Sequence, residues 1–117
     1  MLLKSTKEIF NHHLESFSKK DLGEIAKDFN EHSIYINSLG VEALGVDSIM
    51  KIYKQYFESQ EQGTTSSIKN MIIEGDIVFL ELKSDSPSTY INDGVDTFVI
   101  RDGYIYAQTA KFTVIPK

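Results

Sequence analysis

The sequence predicts an α+β fold, with helices gathered in its first half and an antiparallel meander in its second. Three observations carry that expectation. Ser5 with Glu8, and Asp21 with Glu24, have the spacing of helix-opening capping boxes. Gly75-Asp76 and Asp102-Gly103 are two-residue hairpin signals between runs rich in strand-forming residues. Strands and helices never alternate in the manner of a parallel sheet. With 117 residues, 41% of them hydrophobic and 25% charged, the chain suits a single domain over residues 1–117 built on one core.

The elements follow in order. Behind Ser5, the residues Ile9, Phe10, Leu14 and Phe17 recur at helical spacing, so a helix starts near Thr6. Leu22, Ile25, Ala26 and Phe29 mark a short second helix, joined to the first by the tight connection Ser18 to Lys20. Ser33 to Asn37 reads as a short strand. Gly40 and Gly45 then bracket a loop. A third helix runs from Asp47, with Val46, Ile49, Met50, Tyr53, Tyr56 and Phe57 on one face. After the polar stretch Ser59 to Ser66, Ile68 to Glu74 and Ile77 to Lys83 form a hairpin. Pro87 keeps Ser84 to Ser88 out of a central strand. Thr89 to Arg101 and Tyr104 to Ile115 form the last and longest pair.

Composition excludes several classes. Seventeen acidic against 12 basic residues give a net charge of −5, and no Lys/Arg block offers a footprint for nucleic acid. No apolar run approaches the roughly 18 residues of a membrane span, and the opening MLLKSTKEIF is too short in apolar residues for a secretory signal. A cytoplasmic protein is therefore expected. Zero cysteine removes disulfides, thiolate metal sites and a Cys nucleophile. His12, His13 and His32 lack a regular spacing with carboxylates, so no metal is expected. No Gly-rich phosphate cradle and no nucleophile-elbow serine occurs.

The last two strands carry apolar residues on both faces. On the first, Asn92, Gly94, Asp96, Phe98 and Ile100 share a side. On the second, Tyr104, Tyr106, Gln108, Ala110, Phe112 and Val114 do. A curved sheet that covers the helices on its concave side and packs its convex side on a second copy explains both faces, so a homodimer is expected.

This succession resembles the SnoaL-like and ketosteroid-isomerase branch of the nuclear transport factor 2 superfamily, whose fold is a cone-shaped α+β barrel. The residues carrying the resemblance are Lys20-Asp21-Leu22-Gly23-Glu24-Ile25 and Phe29-Asn30-Glu31-His32-Ser33. Gly45-Val46-Asp47-Ser48-Ile49 and Gly94-Val95-Asp96-Thr97-Phe98, followed by Asp102-Gly103, complete the set. The superfamily includes isomerases, dehydratases, epoxide hydrolases, polyketide cyclases and noncatalytic binding modules, so the fold does not by itself decide the activity.

Asp96 is the first candidate residue. Strand parity sets it beside Phe98 and Ile100, on an apolar surface where burial raises a carboxyl pKa. The resemblance implies that it falls on the isomerases' oxyanion-hole aspartate, or on the strand acid of SnoaL-like cyclases; a carboxylate that merely braces the barrel is the plainer alternative. His13 lies on the apolar stripe of the first helix, whereas His12 is turned about 100° away toward water. The resemblance sets His13 on the helix tyrosine that bonds the substrate oxygen, where a His could still donate or could act as a catalytic base with a pKa near neutrality. It sets Tyr53 on a tyrosine of the same network. A buried His with its bonds satisfied and a Tyr with a tethered hydroxyl are the structural alternatives. Tyr35 and Tyr56 are weaker candidates. Phe98 and Phe112 are expected to wall the pocket. Asn37 stands where ketosteroid isomerases carry their proton-shuttling aspartate. An amide cannot shuttle a proton, which favours a SnoaL-like arrangement with one strand acid.

Two functions follow. The first is a cofactor-independent acid/base enzyme acting on a hydrophobic carbonyl compound. Asp96 moves the proton there, while His13, Tyr53 and Asn37 orient and polarise the substrate. The second is a noncatalytic ligand-binding or protein-interaction module. An open apolar cavity around Asp96 and His13 favours the first, and a core filled by Phe10, Phe29, Phe98 and Phe112 favours the second.

Overall fold

The computed structural model describes residues 4–117, so the apolar start of the chain, on which the absence of a secretory signal partly rests, lies outside the described residues. Helix α1 spans Thr6–Ser18, and both halves of its capping box form. Ser5 Oγ accepts from the Glu8 N–H at 3.1 Å, while Glu8 Oε1 accepts from the Ser5 N–H at 3.1 Å. Helix α2 (Leu22–Ala26) keeps only half of its box. Asp21 caps the Glu24 N–H, but the Glu24 carboxylate turns instead to His12 and Lys27. Phe29 lies past the end of α2 and is buried all the same. Strand β1 (Ile34–Asn37) and helix α3 (Val46–Ser59) follow the expected pattern. Gly45 starts α3 at φ 86°, and its N–H donates to the Ser33 carbonyl at 2.8 Å. No helix among the described residues is long and apolar enough to cross a membrane.

The sheet comprises β1, β2 (Glu42–Leu44), β3 (Thr65–Glu74), β4 (Ile77–Asp85), β5 (Thr89–Arg101), β6 (Tyr104–Lys111) and β7 (Ile115–Pro116). Its order is β2-β1-β6-β5-β4-β3, antiparallel except for the parallel β1–β6 pair, with β7 alongside β5. The architecture is α+β, three helices against a curved, mostly antiparallel sheet. Several details differ from the expected elements: β3 starts at Thr65 rather than Ile68, β4 runs to Asp85 rather than Lys83, and two further differences have a visible cause. The segment between Gly40 and Gly45 is not wholly loop, because Ile34 pairs with Leu44 and Ile36 with Glu42 to make β2. The final strand stops at Lys111 rather than Ile115. There the Asp93 carboxylate accepts from both the N–H and the hydroxyl of Thr113 at 2.8 Å, drawing the chain out of the ladder before Ile115 pairs with Tyr90.

The core lies between the helices and the concave face of the sheet. Ile9 and Phe10 of α1, Ile25 of α2 and Ile49 of α3 meet Val78, Phe98, Ile100 and Ile105 from the strands, all buried. Each such side chain contributes about 1.5–3 kcal/mol by leaving water. A register shift between Val99 and Ile100 sets Ile105 opposite Ile100 and Ala107 opposite Val99, which makes Tyr106 an extra residue. Ile105 and Gln108 are consequently both buried, although strict alternation would put them on opposite faces.

Candidate active site

Directly paired residues of neighbouring strands share a face, so the concave surface reads as rows. One row runs Ile73, Val78, Phe98, Gln108 and Tyr35. The next runs Met71, Leu80, Asp96, Ala110 and Asn37. Beyond it, Ile68 and Leu82 pair with each other and Leu82 with Gly94. The first row is roofed by α1, where Phe10 and Phe98 rings lie 4.9 Å apart. On the far side of Asp96 the face opens, with Ile68 and Met71 exposed and Leu82 and Phe112 half-buried. Asp96 thus stands at the edge of the closed core, with partly exposed apolar side chains beyond it, and neither of the two surface hollows described below is lined by it.

The Asp96 carboxyl is pushed up to about 6 by burial, partly offset by the Gln108 amide. Gln108 Nε2 donates to Asp96 Oδ2 at 3.2 Å, the only hydrogen bond to that carboxylate among the described residues. On its other side, Gln108 Oε1 accepts from the Tyr53 hydroxyl at 2.5 Å. Burial, and then the charge of Asp96, raise the Tyr53 phenol well above its usual range.

His13 Nε2 lies 3.4 Å from the Tyr53 hydroxyl oxygen, and its buried Nδ1 has no partner among the described residues. The ring is boxed by Phe10, Phe17, Phe29, Tyr53 and Phe98, with centroids 5.2 to 6.3 Å away. Burial, with a smaller push from the charge of His12, lowers it to about 4, so it is neutral at pH 7. The space around His13 is therefore filled by Phe10, Phe29 and Phe98, and the half-buried Phe112 packs against the edge of the same core.

Asn37 Oδ1 accepts from the backbone N–H groups of Leu39 and Val41 at 2.9 and 3.2 Å. This closes the turn into β2. Its Nδ2 donates to the Tyr35 hydroxyl at 3.3 Å, leaving the Tyr35 proton free to donate onward. Tyr35 is raised first by burial and also by the charge of Asp96, as is the partly exposed Tyr56, so both phenols share the carboxylate's neighbourhood.

Sequence reasoning named Asp96, Tyr53 and His13 but missed Gln108, the residue between them. The signal available was a lone amide that alternation puts on one face with Ala110 and Phe112, and nothing local marked it because its partner Tyr53 lies 55 residues away. His12 corrects another expectation. It is not simply solvated: its Nδ1 lies 2.7 Å from Asp28 and its Nε2 3.2 Å from Glu24. Two surface hollows lie elsewhere, one lined in part by Arg101, Tyr104 and Tyr106, the other by Lys83, Tyr90 and Asn92.

Three helices on a curved, mostly antiparallel sheet make up a nuclear transport factor 2-like fold. The sequence matches the SnoaL-like domain over residues 10–108, and the chain belongs to that family. A ketosteroid-isomerase candidate from Kribbella flavida superimposes with a TM-score of 0.77 at 11% identity, covering 92% of this chain and 77% of its own. A polyketide-cyclase candidate from Sinorhizobium meliloti gives 0.74 at 17% identity, over 88% and 93% of the two chains. An LEH-like epoxide hydrolase from M. tuberculosis gives 0.71 at 14% identity, over 92% and 82%. At these identities the likeness shows the shared fold. No curated protein sequence matches the chain at a significant level.

Proposed function

We propose that the protein is a cofactor-independent acid/base enzyme, of isomerase, cyclase or dehydratase type, acting on a hydrophobic carbonyl compound. The observation that carries this reading is one carboxyl, near 6, at the edge of the closed core beside partly exposed apolar side chains and held, among the described residues, by a single hydrogen bond. Near neutrality such a group is mostly ionised yet readily protonated, so it serves as base and then as acid. The substrate's apolar body lies along Met71, Leu82 and Phe112, with its carbonyl α-carbon at Asp96. Asp96 takes the α-proton, and the electron pair moves into the carbonyl to give an enolate. Tyr35, whose own proton is uncommitted, donates to that oxygen. Asp96 then returns the proton to another carbon, or to a β-hydroxyl that leaves as water. Tyr53 and Asn37 set the geometry of Asp96 and Tyr35, Phe98 closes the floor, and His13 acts behind Tyr53 as a positioning residue. A second copy covers the convex face of the sheet.

The test is hydrogen–deuterium exchange α to the carbonyl of a panel of cyclic enones, followed by NMR. Asp96→Asn is expected to lower the exchange rate at least about 100-fold; an unchanged rate removes the proposal. The packed box around His13 favours a second reading, a binding module without chemistry. That reading requires enones to raise the melting temperature while no exchange occurs even with the native carboxyl.

A further inference from the structure

The buried chain between His13 and Asp96 has a direction that follows from counting protons. An ionised carboxylate only accepts, so the Gln108 atom 3.2 Å from Asp96 Oδ2 is the Nε2 donor. That leaves Oε1 toward Tyr53, and an amide oxygen also only accepts, so the phenol donates at 2.5 Å. A phenol has one proton. With it committed to Gln108, the Tyr53 oxygen can only accept from His13, 3.4 Å away, so Nε2 carries the imidazole hydrogen and Nδ1 the lone pair. The same tautomer makes the unpartnered Nδ1 an acceptor rather than an orphaned N–H, and buried orphan N–H groups are the rarer of the two.

From this geometry we infer that Gln108 is the positioning residue of the site. Its amide sets the direction of all three hydrogen bonds and insulates Asp96 from His13. An amide neither takes up nor passes on a proton near neutrality, so the chain orients without conducting. The catalytic consequence rests on the Asp96 reading above: a proton taken by Asp96 returns from the same carboxyl or leaves through solvent, never through His13. The titratable groups that feel Asp96 directly are Tyr35, Tyr53 and Tyr56, all raised above the ordinary phenol range. None of them exchanges charge with it between pH 5 and 8.

The experiment uses the whole ligand-free protein with 15N-labelled histidine and 13C-labelled aspartate, titrated by NMR beside Gln108→Leu and Gln108→Glu. At pH 8, wild-type His13 is expected as the Nε2–H tautomer. Gln108→Leu removes the donor to Asp96 and moves its titration midpoint up by about one pH unit. It also frees the Tyr53 proton for His13 Nε2, inverting the tautomer. Gln108→Glu keeps an acceptor for Tyr53, so the tautomer stays, while a second carboxylate raises the Asp96 midpoint further. A wild-type Nδ1–H tautomer, or an Asp96 midpoint unmoved in both variants, overturns the inference, and the first measurement needs no variant to fold. The acid limb of the kcat/KM profile for enone exchange is expected to follow the Asp96 midpoint. If Asp96→Asn leaves exchange unchanged while the tautomer and midpoint behave as stated, the enzyme reading fails and the role of Gln108 stands. The reverse pattern rejects Gln108 alone.

Discussion

A carboxyl that titrates near 6 when folded and at 3.8 in an unfolded chain binds its proton more tightly in the folded state. Its folded pKa is the raised one, so its favourable contribution is complete below about 3.8 and is lost as pH rises through about 6. A shift of that size corresponds to about 3 kcal/mol for a fully buried group, and partial exposure of Asp96 brings it to about 1–2 kcal/mol. Asp96→Asn, which removes the charge and keeps the shape, should therefore stabilise the protein by about 1–2 kcal/mol at pH 8 and by almost nothing at pH 4. Urea denaturation of both proteins across that range checks it, and a constant difference would mean that the carboxyl is solvated. Two residues earlier, Gly94 lets β4 and β5 close. A Cβ there would meet both Leu82 Cδ1 and the Leu82 carbonyl oxygen at 2.9 Å. The carbonyl belongs to the sheet and cannot swing away, so Gly94→Ala should cost about 1–3 kcal/mol in the same urea assay.

At the scale of elements, α1 is tied to the end of α2 by His12, whose ring reaches the buried carboxylate of Asp28 and the exposed one of Glu24. Asp28 foremost, then Glu24, hold the His12 imidazolium above its usual 6.5. Stability from this tie is thus full below 6.5 and fades as pH rises through the higher folded value. His12→Ala should cost about 1 kcal/mol at pH 6 and less at pH 9, read from the urea midpoints; an equal cost at both would show packing rather than charge. The same tie shows what sequence reading reaches. Caps, helical stripes and the Asp102-Gly103 hairpin depend on neighbours a few residues apart, and parity set Asp96 beside Phe98 on the concave face. His12 looked wet because its partners lie 12 and 16 residues on. Gln108 stayed unnoticed because its partner Tyr53 is 55 residues away. β2 went unseen because three residues carry no period of their own and become a strand only beside β1.

At the scale of the whole molecule, the convex face of the sheet is more apolar than water-facing sheets usually are. One row of paired residues runs Ile72, Phe79, Thr97, Thr109 and Ile36, and the next Ile77, Val99, Ala107, Ile34 and Leu44. Ile36, Ile72, Ile77 and Leu44 are 44%, 52%, 50% and 69% exposed in the single chain. Exposed apolar side chains spread over several strands are the kind of surface that interfaces use, and the second copy proposed above would bring the same face to it about a twofold axis. The opposite face carries Asp96, so pairing through the convex side leaves the proposed site uncovered. Sedimentation velocity at micromolar concentration is expected to show a dimer for the native chain. Ile72→Lys and Ile77→Lys each bring a charge onto a face that must be dry in the dimer and are expected to sediment as monomers. Because both side chains are half exposed in the single chain, each substitution should change the stability of the separated monomer by less than about 1 kcal/mol. A native chain that stays monomeric, or a lysine variant that still dimerises as tightly, would assign this face to some other purpose.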